Sequence, residues 1–213
     1  KMTVHIDRPA RRLVCIMLMT LIFAGCGQEA DAQQTDNDGE EMVFQPSDHF
    51  DGERFINPTL DEQVKPGLRD MFGMISEGRP SWPTGIANRA TPQLDHDLGE
   101  DGMAVTFVNH ATFLIQLPGV TILTDPVWSD RVSPVSWFGP KRVRPPGVDF
   151  VALPEVDVVL ISHNHYDHLD LPTLRRLNAR DTPLFVVPLG NRALLQEAGI
   201  TTVEELDWWQ EIN

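Results

Sequence analysis

The segment Ser162–Asp170 (SHNHYDHLD) carries four side chains that could bind a metal ion, namely His163, His165, Asp167 and His168. Residues two apart on extended backbone point to the same side, so the first two histidines can face one point. After a turn, the aspartate and the last histidine can face a neighbouring point. Imidazole and carboxylate groups suit zinc. Two such metals could share a bridging hydroxide and polarise a phosphoryl or carbonyl oxygen, with Asp167 as the predicted catalytic residue.

The residues before this motif favour a functional loop over a polar surface loop that holds three histidines by chance. Val156–Ser162 (VDVVLIS) is a continuous apolar run bounded by Pro154. Such a run is typical of a buried central strand. Ligand sites of α/β proteins lie beyond the carboxyl ends of such strands, which is where this motif would lie.

The flanking segments predict an α/β fold. Three β-rich runs come first, and the Pro118-Gly119 turn favours antiparallel pairing of the second and third. Helices and strands then alternate, with Asp170 as the expected N-cap of the first helix. The predicted strands are Met103–Val108, Ala111–Leu117, Val120–Thr124, Val156–Ser162, Leu184–Val187 and Thr202–Trp208, and the predicted helices are Leu171–Arg180 and Asn191–Ala198.

The first residues predict export. Residues 1–25 combine Arg8, Arg11 and Arg12 with an apolar run over 13–24 that suits the central part of a signal peptide. Small residues before Cys26 resemble the lipobox of bacterial lipoproteins, in which that cysteine is lipidated. A plain secretory signal and a buried helix are the alternatives. The lipoprotein interpretation places the protein in the cell envelope, exported across the inner membrane and held by a lipid anchor.

The amino-acid composition excludes several other classes of protein. The formal net charge of −14 argues against a nucleic-acid partner, which would need a basic face. Two cysteines in 213 residues cannot form a disulfide scaffold or a cysteine-rich zinc finger. Residues 26–45 form an acidic, polar segment without hydrophobic periodicity, which predicts a flexible tether. Residues 46–102 predict an irregular N-terminal extension with one helix near Val64–Ser76.

The histidine motif resembles the hallmark loop of the metallo-β-lactamase fold. The wider chain resembles one branch of that fold, the N-acyl-phosphatidylethanolamine-hydrolysing phospholipases D and their bacterial relatives. The other matching stretches are Gly52–Pro58, Val108–Thr112, Leu123–Trp128, Gly139–Arg142, Pro188–Gly190 and Glu205–Trp209.

The resemblance implies an αββα sandwich, of which residues 103–213 would be about the N-terminal half. It implies two zinc ions, one bound by His163 and His165 and the other by Asp167 and His168. Asp125 would orient the histidine loop from behind the ligands. His110 would lie nearby in a similar supporting position, or it is an ordinary histidine of the core or surface.

The resemblance also implies ligands that this sequence lacks. A third histidine on the first metal, a bridging aspartate and a final histidine on the second would come well downstream, yet no histidine follows His168. We therefore expect an N-terminal fragment of a longer enzyme. Such a fragment should bind zinc weakly and hydrolyse nothing efficiently. An open reading frame beyond Asn213 with two more histidines and an aspartate would support this expectation.

The expected activity is phospholipase D-type hydrolysis of N-acyl-phosphatidylethanolamine-like lipids. The expected partners are this phospholipid substrate and, through the anchor, the membrane. One alternative is hydrolysis of another ester, lactone or phosphodiester on the same scaffold, because a fold does not fix a substrate. The other alternative is a truncated envelope lipoprotein without catalytic activity.

A Pro-rich loop at residues 129–150 leaves two interpretations open. Its cations could meet phospholipid headgroups and its aromatic residues lipid tails, or the loop is an ordinary solvated one. The residues concerned are Arg131, Lys141, Arg142, Arg144, Trp137, Phe138 and, directly before the loop, Trp128.

The remaining histidines, His5, His49 and His96, belong to no recognisable group of functional residues. Trp208 and Trp209 are expected on the last strand, the first in the core and the second at its edge.

Overall fold

The computed structural model describes residues 44–59, 83–94, 97–135 and 137–212. The chain divides into two compact units, Lys1–Met42 and Val43–Asn213, and all described residues lie in the second. The predicted signal peptide, Cys26, most of the predicted tether and the predicted helix near Val64–Ser76 lie outside the described residues.

A six-stranded mixed sheet forms the centre of the described part, with its strands side by side in chain order. The first three strands pair antiparallel, with β2 and β3 joined as the Pro118-Gly119 turn predicted, and β3 to β6 pair parallel. The α/β fold predicted from the sequence is thereby confirmed. The strands are β1 Ala104–Asn109, β2 Thr112–Leu117, β3 Val120–Thr124, β4 Val158–Leu160, β5 Leu184–Pro188 and β6 Val203–Leu206.

Two α-helices pack on one face of this sheet. They are α1, Leu171–Asp181, and α2, Arg192–Glu197, and a short 3-10 helix lies at Phe150–Ala152. Leucines of both helices join the inward-facing strand residues in one apolar cluster. Burial of this surface is the main force that holds the layers together. The fully buried members include Leu114, Leu123, Val159, Leu174, Leu177, Phe185 and Leu195.

The opposite face of the sheet is apolar but open. Successive strand residues point to opposite faces, so the neighbours of the buried residues point away from the helices. Among them, Val105, Phe107, Phe113 and Leu160 are between 36% and 58% exposed. The described residues thus form one sheet with its helices on one side.

Three predicted details differ from the structure in whole or in part. The strand predicted over Val156–Ser162 covers only Val158–Leu160, and the N–H groups of its two predicted end residues bind carboxylates instead, Val156 that of Asp181 and Ser162 that of Asp125. Asp170 is the N-cap of α1, as predicted, but its carboxylate makes no cap hydrogen bond and accepts instead from the N–H groups of Trp128 and Ser129.

The third concerns the end of the chain. The last strand ends at Leu206 rather than Trp208, and Trp209 adopts a left-handed backbone with φ 67°. Trp208 is 51% exposed and Trp209 is 89% exposed, so the first is not a core residue. Trp208 stacks instead on the ring of His49, 4.3 Å away.

His49, which belongs to no site predicted from the sequence, holds the N-terminal segment against the end of β6. Its ring is buried, its Nε2 lies 2.8 Å from Oδ1 of Asp207, and its Nδ1 contacts the Asp48 carboxylate. The hydrogen bonds to Asp207 and then Asp48 raise the pKa of His49. Burial would raise the pKa of Asp207, but hydrogen bonds from His49 and the N–H of Trp208 outweigh it and lower that pKa.

We expect the attachment of residues 47–57 to weaken above neutral pH. The pKa of His49 is raised from 6.5, so its charged pairing stabilises the fold fully below that pH and is lost as the pH rises through the raised value. The pKa of Asp207 is shifted in the opposite direction, down from 3.8, so its contribution to stability is lost only when the pH falls below that value. Hydrogen exchange of these amides at about pH 5.5 and about pH 8.5 measures the effect. Equal pH dependence in a His49→Gln variant would contradict the prediction.

The described residues include no helix that is long and apolar enough to cross a membrane.

Candidate metal centre

Three loops at one edge of the sheet form the candidate centre. β1, β3 and β4 run in the same direction, because β1 and β3 are both antiparallel to β2 and β3 is parallel to β4. Their carboxyl ends therefore lie at the same edge, where α/β proteins bind ligands. His110 follows β1, Asp125 follows β3, and the histidine motif follows β4.

The first pair of predicted ligands is in direct contact. His163 Nε2 lies 3.2 Å from His165 Nδ1, and the ring centroids of His163 and His168 are 3.9 Å apart. Burial lowers the pKa of His163, and the neighbouring His168 and His165 lower it further. A neutral imidazole is the form that ligates metals, so this environment suits a ligand.

A second group of donors lies beside the first. His110 Nε2 is 3.0 Å from Asp167 Oδ2, and His168 Nε2 is 3.7 Å from the same oxygen. One ligand atom from each of these three residues falls within 4.8 Å of the others. Two imidazoles and a carboxylate form a donor set that zinc and similar divalent metals accept. The residues present therefore fit a metal ion.

The buried carboxylate of Asp125 holds the histidine motif. Its Oδ1 accepts the N–H of Ser162 at 2.7 Å, and its Oδ2 lies 2.7 Å from the Ser162 hydroxyl and 2.8 Å from His168 Nδ1. Because a carboxylate only accepts, Nδ1 of His168 carries the proton. Nε2 then keeps its lone pair on the side where His110 and Asp167 lie. Such partners commonly fix the orientation of metal-ligating histidines.

Two residues of the centre adopt a left-handed backbone that non-glycine residues seldom take. The φ angles are 37° at His110 and 35° at Asp125. At Asp125 the surroundings enforce it: its N–H donates to the Leu160 carbonyl at 2.8 Å, and its carbonyl accepts the Thr112 hydroxyl at 2.6 Å. Backbone strain of this kind concentrates at functional sites.

A cleft of about 540 Å³ adjoins the histidine motif. Ser162, His163 and Asn164 line one part of it, and most of the remaining lining is apolar, with Trp208 and Phe55 contributing aromatic rings. The centre therefore opens next to a mainly apolar surface.

The structure brings together every residue that the sequence suggested for the metal site and its support, and it separates none of them. Their roles as ligands stay a prediction. What sequence reasoning missed is the direct contact of His110 with Asp167, since His110 was expected only in a supporting position. Its place after β1, at the same edge as the motif, is the signal that points to this contact.

Comparison with known proteins shows what this chain is similar to. Residues 120–213 match the family model described as a beta-lactamase superfamily domain. An uncharacterised protein of Mycobacterium tuberculosis is 41% identical over 155 residues, which cover 71% of this chain and 41% of that protein. The N-acyl-phosphatidylethanolamine-hydrolyzing phospholipase D 1 of Caenorhabditis elegans is 44% identical over 159 residues, which cover 68% of this chain and 44% of that protein.

Among solved structures, the diiron beta-hydroxylase CmlA from Streptomyces venezuelae aligns with a TM-score of 0.40 and 30% identity, over 53% of this chain and 22% of that one. This chain spans less than half the length of the two curated relatives described above, 41% of one and 44% of the other.

Proposed function

We propose that residues 120–213, which match a family model described as a beta-lactamase superfamily domain, belong to the metallo-β-lactamase branch of that superfamily. We propose further that the full-length protein containing them is a zinc-dependent hydrolase. Its proposed reaction is phospholipase D-type cleavage of a phosphodiester bond in N-acyl-phosphatidylethanolamine-like lipids. The observation that carries the proposal is the donor cluster at the edge of the sheet. The choice of substrate is supported by 44% identity to a relative named for that reaction.

Two groups of side chains would hold two zinc ions. His163 and His165 form the first group, and Asp167 and His168, with His110 beside them, form the second. When bound, zinc polarises a phosphoryl oxygen and lowers the pKa of water at the site. The two groups are adjacent, since the rings of His163 and His168 are 3.9 Å apart.

Side chains around the proposed ligands would hold those ligands in a fixed orientation. Asp125 fixes the proton of His168 on Nδ1 and holds the N–H of Ser162, so the first residue of the motif cannot shift. The Ser162 hydroxyl, 2.9 Å from His163 Nδ1, joins the same network. Donors held in this way need little rearrangement when substrate arrives, which is the basis of electrostatic preorganisation.

We also propose that the protein acts at the membrane of the cell envelope. The support is the pattern of residues 1–25, with a lipidated Cys26 as the anchor and an acidic tether after it. An anchor of this kind would hold the centre next to a phospholipid substrate.

The test incubates the full-length protein with N-acyl-phosphatidylethanolamine and zinc and measures the release of phosphatidic acid and N-acylethanolamine. We expect release with zinc and none after the metal is removed by a chelator. Parallel assays with a simple ester and a lactone identify the other hydrolases of this scaffold. Zinc-dependent turnover of these alone would contradict the phospholipase proposal, and no turnover of any substrate would favour the non-catalytic lipoprotein.

A further inference from the structure

We propose that residues 131–144 form a loop that docks on an anionic phospholipid bilayer. The aromatic tip would enter the interface between headgroups and acyl chains, and two exposed cations would contact phosphate groups. This surface is separate from the metal ligands, so the proposal does not depend on the reaction.

The base of the loop is closed by hydrogen bonds. Arg131 and Lys141 form an antiparallel bridge, and the N–H of Arg142 donates to the Asp130 carbonyl at 2.7 Å. The guanidinium of Arg131 donates to the Gly139 carbonyl at 2.6 Å. These contacts hold the two arms of the loop together at its base.

The tip of the loop presents two aromatic rings. Trp137 is 71% exposed and Phe138 is 39% exposed, with ring centroids 6.0 Å apart. Gly139 follows with φ 100°, and a Cβ there would lie 2.6 Å from the Cβ of Ser133, so the turn that exposes the tip needs a glycine. Tryptophan is enriched at membrane interfaces, where its ring is partly in headgroups and partly in hydrocarbon.

The charge of the loop is opposite to that of the chain. Residues 131–144 contain four cations and no acidic residue, whereas the whole chain has a net charge of −14. Two of the cations serve the loop itself, since Arg131 closes its base and Arg142 donates to the carbonyls of Val127 and Ser129. Lys141 and Arg144 are exposed on the same segment as the aromatic tip.

Residues outside the loop also form hydrogen bonds with its C-terminal end. The N–H of Ile86 donates to the Val143 carbonyl at 2.9 Å, and the side-chain amide of Asn88 donates to the Pro146 carbonyl at 2.9 Å. A surface that is already ordered loses little conformational entropy on binding.

These features favour a bilayer over a second copy of the chain. The net charge of −14 opposes contact with a second copy and with an anionic bilayer alike, so the local positive charge of the loop decides, and a tip of two aromatic rings is small for an interface between copies. An anionic bilayer attracts the two exposed cations and accepts the tip without a matching pocket.

The experiment uses the full chain with vesicles of phosphatidylglycerol and phosphatidylcholine whose acyl chains are brominated. Bromine quenches tryptophans that enter the bilayer, so the readout is specific to the residue even if other segments bind the vesicle. We expect quenching that is largely lost in Trp137→Phe. The matched control is Trp209→Phe, which replaces another exposed tryptophan outside the loop and should keep the quenching.

The cations are tested in the same assay. Lys141→Gln with Arg144→Gln should raise the anionic lipid needed for half-maximal quenching by roughly 25-fold, because each basic residue near such a surface contributes about one fivefold step. Arg89→Gln, at an exposed cation outside the loop, should change it little. Circular dichroism shows that the variants are folded.

Two results would overturn the proposal. One is quenching that is absent, or equal in the chain and in Trp137→Phe. The other is a Trp137→Ala, Phe138→Ala variant that changes the sedimentation of the chain but not the quenching, which would assign the tip to contact between copies.

Discussion

Replacement of Asp167 by asparagine in the full-length protein should lower zinc affinity and the rate of lipid hydrolysis by more than about 100-fold. Removal of a partner that only orients a metal ligand already costs roughly 10- to 100-fold, and Asp167 is a candidate ligand itself. Its carboxylate lies between His110 and His168, at 3.0 and 3.7 Å from their Nε2 atoms. The asparagine amide carries no negative charge, and both the binding of zinc and the hydrolysis of the lipid would depend on that charge.

Zinc content measured by mass spectrometry and turnover measured by phosphatidic acid release check this prediction. Asp101→Asn is the matched control, because Asp101 is an exposed aspartate before β1. It should keep both zinc and turnover. An Asp167→Asn protein with unchanged zinc content and rate would remove Asp167 from the site.

Replacement of Asp125 by alanine should have the second large effect, acting on both stability and metal affinity. The N–H of Ser162 and Nδ1 of His168 would lose their shared acceptor, the buried carboxylate of Asp125, in part-buried surroundings. A fully buried donor left unpaired costs about 1–3 kcal/mol, so two part-buried donors should lower the free energy of unfolding by about 2 kcal/mol, the lower end of that range for each. Without its anchor the histidine motif should also bind zinc roughly 10- to 100-fold more weakly.

Urea unfolding and competition with a chromogenic zinc chelator separate the two effects. Asp157→Ala is the matched control, since the Asp157 carboxylate accepts the N–H of Thr121 at the opposite end of β3 and β4, at 2.7 Å. It should lower stability without a change in zinc affinity. If Asp125→Ala lowered stability alone, as that control does, the role of Asp125 in orienting the metal loop would be wrong.

Much of the fold could be predicted because its signals are local. The β-rich run after the Pro118-Gly119 turn predicted the observed bounds of β3, and Asp170 as the expected N-cap predicted the start of α1, whose end lies one residue beyond the prediction. The ends of other elements could not be predicted, since distant side chains decide them. The strand before the histidine motif ends at Leu160, and two residues later the Ser162 N–H binds the Asp125 carboxylate, a contact that no property of Val156–Ser162 itself shows.

By itself, the sequence determined the chemistry of the candidate centre and the order of the elements around it. Four side chains that can bind a metal lie within six residues, and they keep this capacity in any fold that places them after a strand. Only the tertiary structure decided which distant groups join them. The parallel course of β1, β3 and β4 brings His110 to Asp167 and Asp125 to His168, while His49 reaches Asp207 across 158 positions. Such contacts depend on strand pairing and packing, which hydrophobic periodicity along the chain does not encode residue by residue.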